Sequence, residues 1–87
     1  MEQPLRRYRR GRGGTLGEFA EHFGVSKTTV ARWETGEMLP DADVIARIED
    51  LTEGAVTAAD MHRTRLGWLK ANRPERFAAG GLAETAS

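Results

Sequence analysis

Apolar residues recur every three or four positions in several short segments of the chain, and this spacing is typical of amphipathic helices. Glycine, proline or capping residues separate the segments from one another. The chain is therefore predicted to be all-α. The apolar positions, in chain order, are Leu5, Tyr8, Leu16, Phe19, Ala20, Phe23, Val30, Trp33, Val44, Ile45, Ile48, Leu51, Met61, Leu66, Trp68 and Leu69.

Capping residues place two of these helices close together around Gly24. Thr15 and Glu18 form a capping-box pattern that begins one helix, and Gly24 supplies the left-handed residue that commonly ends one. Ser26 then fits the N-cap of the next helix. Because the connection is so short, the two helices must cross steeply, as in a helix-turn-helix, and Ala20 is small where they cross.

The second of these helices carries a polar face that its packing does not need. On a helical wheel Val30 and Trp33 lie on the side that can anchor the helix. The opposite side can bond phosphates and base edges with little bulk. Lys27 is in the first turn, where the helix dipole disfavours a cation, although an ordinary solvated lysine is the alternative. The residues on this side are Lys27, Thr28, Ala31, Arg32 and Thr35.

The N-terminal segment predicts a first helix that is rich in arginine. Pro4 suits the first position of a helix, and Leu5 and Tyr8 form its inner side. Arg6 and Arg7 are candidates for phosphate contacts, the alternative being a solvated basic terminus.

After the polar helix, residues 36–41 predict a loop and another helix start. Pro40 disfavours helix at the residue before it, so Met38 and Leu39 are expected to turn into the core. Asp41 is expected to cap the fourth helix.

A second capping box, Thr57 with Asp60, opens a last helix that is expected to end before Pro74. Its first turn is expected to complete the core. The apolar residues beyond it exceed what the core requires, so residues 63–76 are either a docked extension or a partner surface made by Leu66, Trp68 and Leu69. Residues 77–87 are small and polar and are expected to be mobile.

Composition limits the class of protein and its surroundings. The 87 residues suffice for one small domain, and the absence of cysteine excludes disulfides and thiolate metal sites. No signal peptide or membrane span is apparent, so we expect a cytoplasmic location and no membrane partner.

The formal net charge is +0, distributed as +3 over residues 1–36, −6 over 37–60 and +3 over 61–87. This asymmetry would let an acidic side face away from DNA, although a solvated charge pattern remains the alternative.

Enzymatic and metal chemistry have little support. His22 and His62 lie on different predicted helices without a carboxylate or cysteine at ligand spacing. Phosphate-loop, serine-hydrolase and zinc-protease motifs are missing from the sequence. We therefore expect no enzyme activity, no catalytic or metal-binding residues, no cofactor and no small-molecule ligand.

The run from Gly24 to Gly36, followed by Leu39 and Pro40, carries a family resemblance. Residues 4 to about 62 resemble the phage repressor and Cro-like (XRE-type) helix-turn-helix family. Ala20, Gly24 and Val30 match its crossing residue, turn glycine and buried aliphatic. The Arg-Trp-Glu-Thr-Gly-Glu run and the later Leu-Pro look like its signature after the recognition helix, and residues 54–60 are similar to small phage-type members.

The resemblance implies a five-helix, lambda-repressor-like DNA-binding domain over residues 1–62, with residues 26–35 in the major groove and a homodimer on a two-fold related operator in double-stranded DNA. Leu16 and Gly14 depart from the family pattern, since many relatives have glutamine and an apolar residue there. By position, the family's base-contacting residues match Lys27, Thr28 and Arg32, its phosphate contacts match Ser26, Thr29 and Thr35, and a partly buried ion pair matches Arg9 with Glu34.

Two functions follow from these patterns. The first is a sequence-specific transcriptional regulator that acts as a repressor. The second is a protein-interaction adapter or an antitoxin-type module that uses the Leu66, Trp68 and Leu69 surface. Arg32 separates the regulator from an adapter, because an adapter would not need it. An antitoxin that represses its own operon would use the same DNA-binding chemistry, and the residues do not distinguish it.

Overall fold

A computed structural model describes residues 2–77 and contains five α-helices within them. The all-α, five-helix prediction is confirmed. A short 3-10 turn, Pro74–Phe77, follows the last helix. Phe77 is therefore part of a helical turn, whereas the sequence had suggested that the tail begins at this residue. The rest of that tail, residues 78–87, lies outside the described residues. The helices are α1 (Pro4–Gly11), α2 (Leu16–Phe23), α3 (Lys27–Thr35), α4 (Ala42–Leu51) and α5 (Ala58–Asn72).

Local capping sets the ends of α2 and α3. The Glu18 amide donates to Thr15 Oγ1 at 3.1 Å, and the Thr15 amide donates to Glu18 Oε1 at 2.8 Å. Gly24 ends α2 in the left-handed region at φ 68°. Ser26 Oγ accepts a hydrogen bond from the Thr29 amide at 3.1 Å. Only Gly24, Val25 and Ser26 separate the two helices, which is the short connection expected of a helix-turn-helix.

The caps of α4 and α5 differ from each other. Asp41 occupies the N-cap of α4, but its exposed carboxylate accepts no capping hydrogen bond, so the expected cap is wrong in this respect; Asp43 in the first turn supplies the negative charge that favours a helix N-terminus. Thr57 and Asp60 form a complete capping box at α5, with reciprocal amide contacts of 3.0 and 3.1 Å.

The core forms where the apolar faces of all five helices meet. The Phe23 and Trp33 rings pack edge to face with centroids 5.8 Å apart, which joins α2 to α3. Val56, in the segment between α4 and α5, is also buried. The buried residues of this cluster are Leu5, Ala20, Phe23, Val30, Trp33, Ile48, Val56 and Met61.

Met38 contradicts the sequence prediction, whereas Leu39 packs against the core as expected. The Met38 side chain is 40% exposed. The Met38 amide donates to the Arg32 carbonyl at 3.2 Å, so the chain folds back over the end of α3 after the left-handed Gly36. Leu39 and the buried Pro40 follow on the core side of the chain, and Met38 is left on the surface.

Helix α5 continues without a break through residue 62, and its later turns pack against the end of α3. Gly36 is buried there, and a Cβ atom at this position would lie 2.2 Å from the Thr64 carbonyl oxygen. Of the apolar residues beyond the core, Leu66 is 45% exposed, while Trp68 and Leu69 are half-buried. Among residues 2–77, no helix combines the length and apolar character needed to cross a membrane.

Candidate DNA interface

Helix α3 is held by one side and exposes the other. Val30 and Trp33 are 0% and 4% exposed in the core. Their burial fixes the rotation of the helix about its own axis, so the polar side faces solvent. Ala31 is half-buried, and the exposed members of that side are Lys27, Thr28, Arg32 and Thr35.

Arg32 has an acidic neighbour that sequence reasoning missed. Its Nε atom lies 2.8 Å from Glu37 Oε2, and the two side chains are 48% and 46% exposed. The left-handed turn at Gly36 brings Glu37 back beside the helix that has just ended. Helical periodicity does not link Arg32 with Glu37. The available signal in the sequence was an acidic residue directly after the glycine that ends the helix.

The hydroxyls of the candidate phosphate contacts also have local structural roles. Ser26 Oγ caps α3 and lies 2.9 Å from Thr29 Oγ1, and Thr29 is half-buried. Thr35 Oγ1 donates to the Arg32 carbonyl and accepts from the Glu37 amide, both at 3.3 Å. Each hydroxyl oxygen retains a lone pair or proton for a further partner.

Lys27 extends over the N-terminal end of α2. Its Cε atom lies 3.7 Å from the position that a Gly17 Cβ would occupy. An open pocket of about 560 Å³ lies beside it. The residues that line the pocket are Arg9, Gly14, Thr15, Leu16, Gly17 and Lys27. Leu16 itself packs against the core, so its apolar character serves the fold.

Arg9 and Glu34 form a two-pronged ion pair that joins α1 to α3. Arg9 Nε donates to Glu34 Oε2 at 2.6 Å and Nη2 donates to Oε1 at 3.0 Å. The side chains are 11% and 4% exposed. The hydrogen bonds to Glu34 raise the pKa of Arg9 against the opposing effect of burial. Arg9 Nη1 also donates to the Gly14 carbonyl at 3.0 Å, which ties the loop before α2 to the same pair.

The exposed arginines of α1 are partly neutralised by one acid. Glu2 Oε2 lies 3.7 Å from Arg6 Nε and also pairs with Arg10. Arg7 is exposed, and its side chain has no ion pair within residues 2–77. The three arginines therefore differ in how readily a phosphate could reach them.

Helix α5 contacts the turn after α3 through Arg65, which the sequence did not single out, and through Trp68, which the sequence analysis had assigned to a possible partner surface. Arg65 Nη1 donates to the carbonyl oxygens of Gly36 at 3.0 Å and Glu37 at 2.6 Å. Trp68 Cβ lies 3.0 Å from the position of a Gly36 Cβ, and the Arg65 guanidinium lies 5.5 Å from the Trp68 ring centroid. The contacts of α5 with the turn join residues about thirty positions apart, so no local pattern could reveal them.

The two histidines lie apart from this surface chemistry. His22 packs edge-on against Phe23, with centroids 4.9 Å apart, and His62 is exposed on α5. Within the described part of the chain, no cluster of three or more His, Asp or Glu side chains could hold a metal ion.

The three-residue turn between α2 and α3, the contact of their Phe23 and Trp33 rings and the anchoring of the second helix define a helix-turn-helix protein. A family model described as Helix-turn-helix matches residues 5–54, more than half of the chain. The chain belongs to this family, of the XRE type that includes Cro-like and C1-like proteins, and is a DNA-binding transcription regulator. The match covers α1 to α4 and stops before α5. Searches of curated proteins and of solved structures returned no significant match.

Proposed function

We propose that this regulator is a sequence-specific repressor that binds a two-fold related operator as a homodimer. The observation that carries the proposal is the anchoring of α3 by Val30 and Trp33, which leaves a cationic, hydroxyl-bearing side exposed. A helix presented in this way can enter the major groove and bond base edges.

Within this proposal Lys27, Thr28 and Arg32 contact bases. Their side chains are exposed on one face of α3. Arginine and lysine suit the acceptors of guanine, and the threonine methyl and hydroxyl suit either a thymine methyl or a polar base edge. The residues proposed to contact phosphates are Ser26, Thr29, Thr35, Arg6 and Arg7.

The homodimer follows from the size of one binding unit. A single α3 covers only a few base pairs, whereas two copies related by a two-fold axis would read half-sites about one helical turn apart. Occupancy of such a site would exclude polymerase. We assign the DNA-binding unit to residues 1–62, with residues 63–76 acting on it through the contacts of α5 with Gly36.

Selection of bound fragments from random duplex DNA tests this function. We expect enrichment of a two-fold symmetric motif, and Arg32→Ala should cost on the order of 1–3 kcal/mol and relax preference at one base pair per half-site. Arg63→Ala is the matched control, because Arg63 is an exposed arginine of α5 whose only described partner is Asp60. Failure to enrich any motif would overturn the proposal, and an asymmetric motif would overturn the dimer.

The alternative function is a protein-interaction adapter or antitoxin-type module that uses Leu66, Trp68 and Leu69. The exposure of Leu66, at 45%, favours it. Trp68 is half-buried, and its Cβ lies 3.0 Å from the position of a Gly36 Cβ, so only part of this side chain is available to the proposed surface. Arg32→Ala would leave an adapter unaffected, so the same variant discriminates between the regulator and an adapter. An antitoxin that represses its own operon would lose DNA binding as the regulator does.

A further inference from the structure

The turn after α3 links the candidate base-reading arginine to α5. Arg65 on α5 donates from Nη1 to the carbonyls of Gly36 and Glu37, at 3.0 and 2.6 Å. The Glu37 carboxylate in turn lies 2.8 Å from Arg32 Nε. Two successive contacts therefore run from α5 to the guanidinium of Arg32.

The turn has little freedom to move independently of α5. Gly36 is buried at φ 93°, and its Cα is so close to α5 that a Cβ would meet the Thr64 carbonyl oxygen at 2.2 Å. The half-buried Arg65 is itself restrained by the Trp68 ring, 5.5 Å from the guanidinium. The backbone that carries Glu37 is thus held at a fixed place relative to α3.

The atom that Glu37 contacts determines how Arg32 can bind a base. With Nε engaged, the two Nη groups remain for the pair of acceptors, O6 and N7, on the major-groove edge of guanine. A guanidinium already held in one orientation also loses less rotamer freedom on binding, a difference of about two- to tenfold in affinity for one side chain.

We propose that Glu37 and Arg65 are positioning residues that set the base preference of this protein. Arg65 fixes the turn, and Glu37 orients Arg32 toward guanine. This inference rests on the proposed function, since it requires Arg32 to read DNA. It also places one determinant of specificity on α5, beyond the residues 5–54 that the family model matches.

Electrostatics separates this role from a general contribution to binding. A carboxylate near DNA is repelled by phosphates, so its removal alone should strengthen binding to every sequence. If Glu37 positions Arg32, the loss of its carboxylate should also lower the preference for guanine, because Arg32 is then free to rotate. Glu37→Ala and Glu37→Gln should therefore leave nonspecific binding unchanged or tighter while guanine preference falls about tenfold.

The test measures dissociation constants for the operator selected by the wild-type protein. The four base pairs are compared at the position where Arg32→Ala has lost its preference. Arg65→Ala should lower the guanine preference, as Glu37→Ala does. Arg65→Lys should restore part of that preference, because an ammonium can still donate to both carbonyls. Asp50→Ala and Arg63→Ala, which remove one charge each from exposed positions, should retain the preference of the wild type.

Each alternative outcome has a distinct signature. Full guanine preference in Glu37→Ala, with tighter binding to all sequences, would show that Glu37 only repels DNA and would overturn the inference. An equal loss of affinity for all four base pairs in Arg65→Ala and Arg65→Lys would overturn the role of Arg65, and urea unfolding would reveal whether lost stability is the cause. If the wild-type protein selects no motif, the proposed function fails first and the inference fails with it.

Discussion

The Arg9–Glu34 pair is the most buried charged contact among the described residues, and its stability depends on both partners. The two-pronged geometry satisfies both carboxylate oxygens of Glu34, and the remaining Arg9 nitrogen bonds the Gly14 carbonyl. Removal of one partner leaves the other charge buried without compensation, which costs far more than the net contribution of the intact pair. The pair thus fixes the orientation of α1 against α3.

Arg9→Ala should therefore lower the free energy of unfolding by about 3 kcal/mol, and Glu34→Ala by a similar amount. Arg10→Ala is the control, since Arg10 is 57% exposed and its pair with Glu2 should contribute less than about 1 kcal/mol. Urea unfolding of the two single variants and of the Arg9→Met, Glu34→Leu double variant gives the comparison. A double variant less stable than both singles would contradict the argument from uncompensated charge.

A comparison of alanine substitutions at two left-handed glycines separates the cost of backbone strain from the cost of a steric clash. Gly24 has φ 68° with nothing within 4 Å of a Cβ, whereas Gly36 has φ 93° and the Thr64 carbonyl oxygen at 2.2 Å. Gly24→Ala should cost about 1–2 kcal/mol from the left-handed conformation alone. Gly36→Ala should cost at least about 2 kcal/mol more, because α5 must move. Equal changes in urea-unfolding free energy would show that α5 does not press on Gly36.

At the scale of helices, the elements that could be predicted from sequence are those with local determinants. The capping boxes of α2 and α5 and the Ser26 cap depend on residues three positions apart, and all three form. Met38 could not be placed in this way, because its exposure depends on how the turn after α3 folds back over the helix. Asp41 stands at the expected N-cap, but a cap position does not by itself fix the orientation of an exposed side chain.

The candidate interface divides in the same way. The exposed side of α3 follows from helical periodicity, since Val30 and Trp33 mark the buried side of that helix. The contacts that orient Arg32 do not follow from this periodicity. Glu37 reaches Arg32 through a left-handed turn, and Arg65, which holds that turn, lies on a helix that is distant in sequence. Local pattern therefore identifies candidate side chains but not what orients them.

The α5 capping box should make stability depend on pH. The backbone hydrogen bond from Thr57, aided by Arg63, lowers the pKa of Asp60 below its ordinary value of 3.8. The stabilisation is fully present above that ordinary value and is lost as pH falls through the lower pKa of the folded state. Asp60→Asn should therefore cost about 1 kcal/mol at pH 7, with the difference from wild type narrowing below about pH 4.

Urea unfolding between pH 7 and about pH 3 measures this difference. Asp50→Asn is the matched control, since Asp50 is an exposed carboxylate of α4, and its substitution at pH 7 should change stability by less than about 0.5 kcal/mol. A difference between wild type and Asp60→Asn that stays constant across the whole range would contradict a stabilising charge on Asp60.

At the scale of the whole molecule, the charge is balanced but unevenly distributed. Residues 1–36, which contain α1 to α3, carry a net +3, while residues 37–60 carry −6. A total of +0 does not prevent DNA binding, because phosphates respond to the charges near the contact surface and distant charges are screened by salt over roughly 8–10 Å. The sequence segment that provides the recognition helix is thus also the cationic one.

The arginines of α1 should contribute to this local attraction according to how they are paired. Arg7 is exposed without a described ion-pair partner, whereas Arg6 shares Glu2 with Arg10. Arg7→Ala should weaken binding to all sequences alike and reduce the slope of log affinity against log salt by about 0.9, the value for one phosphate contact. Arg6→Ala should have a smaller effect, and Glu2→Gln should strengthen binding because it releases two arginines. Titrations of operator and unrelated DNA at several salt concentrations measure the slopes; an unchanged slope for Arg7→Ala would remove this residue from the phosphate contacts.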